Sequence, residues 1–66
     1  MKRNLKVEMV RKGKTLEDLA RATGRTVQTI STKVNGHYDF TLPEAVAIKR
    51  ELGTDMDLEE LFAEDE

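Results

Sequence analysis

The chain has no cysteine and no tryptophan, one proline, one histidine and three aromatic residues among its 66. Without cysteine there are no disulfides and no thiolate metal site, as suits a reducing compartment. His37 stands alone, with no partner at metal-ligand spacing and no nucleophile-and-base arrangement around it. No apolar run approaches the roughly 18 residues that cross a bilayer. The basic N-terminal segment MKRNLKVEMVRKGK is not followed by the apolar stretch of a signal peptide. These absences exclude a secreted disulfide scaffold and a helical membrane protein. They leave the expectation of a soluble, cytoplasmic protein that is not an enzyme and uses no cofactor.

What is present is a regular alternation of helix starts and stops. A chain of this length is near the lower limit for a single apolar core, so residues 1–66 are expected to form one domain. Glycines fall where helices should end, at Gly13, Gly24, Gly36 and Gly53, and polar caps fall where they should begin. Asn4 is expected to cap Leu5–Lys12, Thr15 to cap Leu16–Thr23 with Asp18 in a capping box, and Thr26 to cap Val27–Asn35. Thr41 is expected to cap Leu42–Leu52 through Thr41-Leu-Pro-Glu44, with Pro43 in the first turn, where its missing N–H breaks no helical bond. A last short helix, about Leu58–Ala63, is introduced by Asp55 or Asp57, and residues 63–66 form an acidic tail. The predicted fold is all-α, a compact five-helix bundle. Its core should draw on Leu5, Met9, Leu16, Leu19, Ala20, Ile30, Val34, Phe40, Ala45, Ile48, Leu52, Leu58, Leu61 and Phe62. Val10, Leu42, Val46 and Met56 are left over. They either complete that core or form an apolar patch fit for a second copy.

The stretch TLEDLARATGRTVQTISTKVNG, residues 15–36, carries the most information. Leu16, Leu19, Ala20 and Thr23 keep the i, i+3, i+4, i+7 rhythm of one buried stripe. Gly24 ends that helix, and the next hides Val27, Ile30 and Val34 while leaving Gln28, Thr29, Thr32 and Asn35 outside. Two helices that cross steeply need a small residue where their backbones meet, and Ala20 is placed for that, with Ile30 filling the angle. A polar helix braced in this way is a helix-turn-helix, which can enter the DNA major groove. Gln28 lies roughly 130° from the centre of the buried stripe at 100° per residue, so it points outward. Its amide sets a donor beside an acceptor, matching the N6–H and N7 edge of adenine. Thr32 offers a methyl or a hydroxyl one turn further on, and Val27 sits at the tip, split between packing and DNA contact.

The formal charge of −2 hides a polar distribution. Residues 1–37 hold nine Lys and Arg against three Asp and Glu, whereas residues 38–66 hold two against ten. The half that contains the helix-turn-helix is therefore the one suited to phosphate, and the acidic half should point away. Lys12, Lys14, Arg25 and Lys33 are the candidate point charges, and the N–H groups at Thr15 form a helix N-terminus open to a phosphate. No arginine projects from the middle of the third helix, so the bidentate reader of guanine is missing there.

With these motifs in place the chain resembles the lambda-repressor-like (Cro/C1, or XRE) helix-turn-helix family. The resemblance rests on Leu19-Ala20, Thr23-Gly24, Thr29-Ile30-Ser31, Asn35-Gly36, Phe40-Thr41, Glu44-Ala45 and Leu52-Gly53 in order, and looks most like the short regulators of phages and prophages. It implies a five-helix transcriptional regulator, repressor-like and bacterial or phage-encoded, that binds duplex DNA as a homodimer, one that forms on the DNA if not before. It also implies that Val27, Gln28 and Thr32 face base edges, while Lys14, Thr15, Arg25, Thr26, Thr29, Lys33, Asn35, His37 and Tyr38 lie along the backbone. Three positions depart from the family pattern: Leu16 where glutamine is usual, Arg25 where an aliphatic residue is usual, and Lys14 in a usually hydrophobic place. A competing reading is a protein–protein module, such as an antirepressor or an antitoxin-like partner, built on the same bundle. The polar outer side of the third helix speaks against it, because protein interfaces centre on aromatic and apolar anchors.

Overall fold

The computed structural model describes residues 1–64, so Asp65 and Glu66 of the expected tail lie outside the described residues. Those residues form five α-helices and no strand: α1 Arg3–Lys12, α2 Leu16–Thr23, α3 Val27–Val34, α4 Leu42–Leu52 and α5 Leu58–Leu61. Helix α2 is central and packs against α3 on one side and α4 on the other, while α1 and α5 close over α4. Leu5, Met9, Leu19, Ala20, Ile30, Val34, Ile48, Leu52 and Leu61 form the buried cluster, with Leu16, Phe40, Met56 and Phe62 packed on its margin. Ala45 is buried and Leu58 half-buried, so all fourteen expected core residues turn inward at least in part. Phe40 and Phe62 meet edge to face with ring centroids 5.1 Å apart, closing the end of the bundle where α4 begins. Of the leftover residues only Met56 joins the core; Val10, Leu42 and Val46 stay in solvent.

The caps explain the boundaries. Thr15 and Thr41 each make a complete capping box, with Asp18 and Glu44 as the reciprocating carboxylates, and Thr26 accepts from the Thr29 N–H. Gly24 adopts a left-handed φ of +72°, which lets the chain turn sharply from α2 into α3.

Three boundaries differ from the sequence expectation. Helix α1 starts at Arg3 with Lys2 in the cap position, and Asn4 caps nothing. Its amide instead donates to the Glu60 carbonyl at 2.8 Å and ties α1 to α5. Helix α3 stops at Val34, with Asn35 as its C-cap in a right-handed conformation. Helix α5 ends at Leu61; it is introduced by Asp57, the N-cap, whose carboxylate accepts from the Glu60 N–H at 2.8 Å.

The N-terminal segment is also fixed. The Lys2 N–H donates to the Val34 carbonyl at 3.0 Å, satisfying an acceptor at the end of α3 that the helix itself leaves open. Glu64 accepts from the Lys2 ammonium at 2.6 Å and from the Met1 amine. Those two donors, Lys2 the larger, hold its carboxyl down at about 2 against the effect of burial. Gly36 lies directly beneath this pair, and a Cβ there would come within 2.9 Å of Glu64 Oε2 and 3.1 Å of the Met1 nitrogen.

Candidate nucleic-acid interface

Helix α3 presents two unlike sides. Ile30 and Val34 are buried in the shared core, whereas Gln28 is exposed and its amide makes no hydrogen bond among the described residues. Val27, at the tip, is 40% exposed, between the packing and contact roles that its sequence position allowed. Thr32 is half-buried and its hydroxyl donates to the Thr29 carbonyl at 2.8 Å. With its proton directed along the helix, Thr32 offers a groove only acceptor lone pairs and a methyl. At the start of α3 the Thr26 hydroxyl accepts from the Thr29 N–H at 3.1 Å and donates to the Thr29 hydroxyl at 2.9 Å. Asn35, His37 and Tyr38 are all exposed where the chain leaves the helix.

The cations are placed less simply than the charge count suggests. Lys12 is exposed and makes no ion pair among the described residues. Lys14, by contrast, pairs with Glu51 of α4 at 3.2 Å. Lys33 is turned inward: its ammonium lies 2.7 and 2.9 Å from the two oxygens of Glu44 and 6.0 Å from the Phe40 ring centroid, and its side chain is only 14% exposed. Arg25 pairs with the same carboxylate through Nε, at 2.8 Å. Its side chain remains 52% exposed, and its two terminal nitrogens have no partner among the described residues. The acidic half of the chain thus does not simply face away from the basic half; α4 supplies counter-ions to it.

Two carboxylates are buried in this framework. Glu8, on α1, accepts from the Thr54 hydroxyl at 2.6 Å and from Arg11 at 2.7 Å. The Thr54 bond does most to lower its pKa, against burial and with help from Arg11. Glu44 is 4% exposed. Burial pushes its pKa up, but hydrogen bonds from Lys33, from the Thr41 N–H at 2.9 Å and from Arg25 outweigh that and bring it down to about 2. The N-terminus of α2 is likewise occupied by an acid of its own. Asp18 accepts from the Thr15 N–H at 2.8 Å, and that backbone bond is the main reason its pKa is lowered. Sequence reasoning saw Glu44 and Asp18 as capping partners only. The further contacts of Glu44 reach 11 and 19 residues along the chain, and nothing in its immediate sequence signals them.

No group of three or more His, Asp or Glu among the described residues is arranged to hold a metal ion, and no helix there is long and apolar enough to cross a membrane. No curated protein and no solved structure matches the chain significantly. The Cro/C1-type helix-turn-helix DNA-binding domain does match it, over residues 4–63, which takes in α2 to α5 and all of α1 but Arg3. The fold is the one that this match implies, all-α with α2 and α3 as the helix-turn-helix, and the family is typically non-enzymatic. The chain therefore belongs to the Cro/C1-type helix-turn-helix family, and is a DNA-binding transcriptional regulator that binds duplex DNA.

Proposed function

We propose that the protein recognises a specific duplex sequence by laying α3 in the major groove, and that it acts as a repressor-like switch on the site it occupies. The observation that carries this reading is the state of Gln28: exposed, without a hydrogen-bond partner among the described residues, and on the side of α3 opposite the core. An amide in that condition has both its donor and its acceptor available for an adenine edge. Thr32 adds an acceptor for adenine N6–H or cytosine N4–H, or a methyl for thymine, and Val27 adds apolar contact at the tip. Around them, Lys12, Lys14, Thr15, Arg25, Thr26, Thr29, Asn35, His37 and Tyr38 form the surface that fixes register on the phosphates. A role on the chromosome places the protein in the cytoplasm of a bacterium or of a phage's host. The whole chain acts as one helix-turn-helix unit in this reading.

One recognition helix spans only a few base pairs, so specificity calls for two copies on half-sites about 34 Å apart. Leu42, 68% exposed, and Val46 one turn later lie on the same side of α4 and supply apolar surface for that pairing on DNA.

The test is selection of bound fragments from random duplexes at moderate salt, followed by sequencing and footprinting. Enrichment of a twofold-related site with A·T pairs at positions contacted by Gln28 is expected. Binding that never rises above the random pool would overturn the specific reading, and no binding even at low salt would favour the protein–protein alternative.

A further inference from the structure

Glu44 stands where three parts of the helix-turn-helix framework meet. Its Oε1 accepts from the Thr41 N–H at the start of α4 and from the Lys33 ammonium of α3, and its Oε2 accepts from Arg25 Nε in the turn. We infer that Glu44 is a positioning residue of the DNA interface: it withdraws Lys33 from the phosphates and aims the outer edge of Arg25 at them. This rests on the reading above, in which α3 faces DNA.

The two cations differ in what the pairing leaves over. A lysine ammonium is one point, and here it bridges both carboxylate oxygens in a nearly closed site, so its charge is spent internally. An arginine is a rigid fork of five donors. Held at Nε, it keeps its two terminal nitrogens without a partner among the described residues, on a side chain that is half exposed. Ordering those donors beforehand removes rotamer freedom that binding would otherwise have to remove. The trio of Arg25, Lys33 and Glu44 then presents one net positive charge in a set direction, where the sequence suggests two in no particular direction.

The test compares Arg25→Met, Lys33→Met and Glu44→Gln with the full-length wild-type chain, measuring duplex affinity against salt on random and on selected DNA. Each phosphate contact contributes a slope of about 0.9 in log K against log salt. Arg25→Met is expected to flatten the slope by about that much, and Lys33→Met to leave it unchanged. Glu44→Gln frees Lys33 and unfixes Arg25, so random duplex should bind severalfold tighter with a steeper slope, while the ratio of selected to random affinity falls. Lys33→Met flattening the slope as much as Arg25→Met would overturn the inference. So would Glu44→Gln weakening both DNAs in parallel at constant slope, which is what a purely structural role predicts. The NMR signal of the Arg25 Nε–H separates this from failure of the DNA reading. In the free protein it should be slow to exchange with water, and Glu44→Gln should abolish that protection. A fast-exchanging signal in the wild type overturns the positioning role, whereas protection with no DNA binding by any form overturns the reading of α3.

Discussion

The two sides of α3 do opposite work with the same backbone. The inner side, Ile30 and Val34, is buried among Leu5, Leu19 and Ile48 and is satisfied by contact alone. The outer side leaves the Gln28 amide without a partner among the described residues and the Thr32 lone pairs open, polar capacity that the fold does not use. Burial of apolar area stabilises the bundle, whereas an unused exposed amide is neutral there and gains value only against another surface. Stability and the proposed recognition are therefore separable on one helix of eight residues, and substitutions on either side should change one without the other.

The largest effect is expected inside. Ile30→Ala removes a fully buried branched side chain at the crossing of α2 and α3, and such truncations cost about 3 kcal/mol. In a domain this small that lowers Tm by roughly 15 °C. At a temperature where the variant is still folded, its ratio of selected to random DNA affinity should match the wild type. A changed ratio would mean the two sides are coupled.

Gln28→Ala is the mirror experiment. Tm should move by no more than about 0.5 kcal/mol equivalent, as for an exposed position without partners. Affinity for the selected site should fall by about 1–3 kcal/mol, with random duplex nearly untouched. Competition titrations read this directly, and a uniform loss on every duplex would remove Gln28 from the role of reader.

The contrast between the two sides was legible in the sequence because each depends on local period. The 3.6-residue rhythm of Leu16, Leu19, Ala20, Ile30 and Val34 set the core, and the glycine and threonine punctuation set four of the five helices closely. The pairings that the sequence did not show are those in which a side chain chose a distant partner over a near one. Asn4 has the chemistry of an N-cap but bonds the Glu60 carbonyl 56 residues away. Lys33 has the spacing of an outward cation but turns to Glu44, and Lys14 turns to Glu51. Charge counts along a chain cannot foresee such pairings, because they depend on which helices are neighbours and on what each carboxylate would lack if buried alone. The exposed amide of Gln28 was visible from the sequence; the buried carboxylate of Glu44 was not.

Acid tests the residue at the edge between the two sides. The folded Glu44 carboxyl titrates at about 2, below its ordinary 4.5, so the folded state binds that proton more weakly than the unfolded chain does. Its stabilisation is complete above about pH 4.5 and is lost as pH falls toward 2. Glu8, Asp18 and Glu64 are shifted in the same direction and add to the loss. Thermal unfolding followed from pH 7 to pH 2 should show Tm level at first and then falling. Glu44→Gln should begin lower and fall less steeply, while Ile30→Ala should begin lower and fall as the wild type does. An acid limb unchanged in Glu44→Gln would show that the carboxylate is not held as the geometry requires.

The smallest effect asks how far the proposed DNA-facing surface extends beyond α3. Helix α2 begins with N–H groups suited to a phosphate, yet Asp18 already sits there, accepting from the Thr15 N–H and hydroxyl through Oδ2 and from Arg21 through Oδ1. A negative charge so placed stabilises the helix and repels an incoming phosphate. Asp18→Asn keeps an acceptor oxygen for the Thr15 N–H, gives up the charge and releases Arg21. The fold should lose about 0.3–1 kcal/mol of dipole and cap stabilisation. Affinity should rise about twofold for selected and random duplexes alike at low salt, and the gain should fade near 1 M salt, where screening reaches within about 3 Å. Equal gains on both DNAs would place the start of α2 against the backbone and leave sequence reading to Gln28. A gain confined to the selected site would move part of the reading to α2, and no gain at all would confine the DNA-facing surface to α3 and the turn before it.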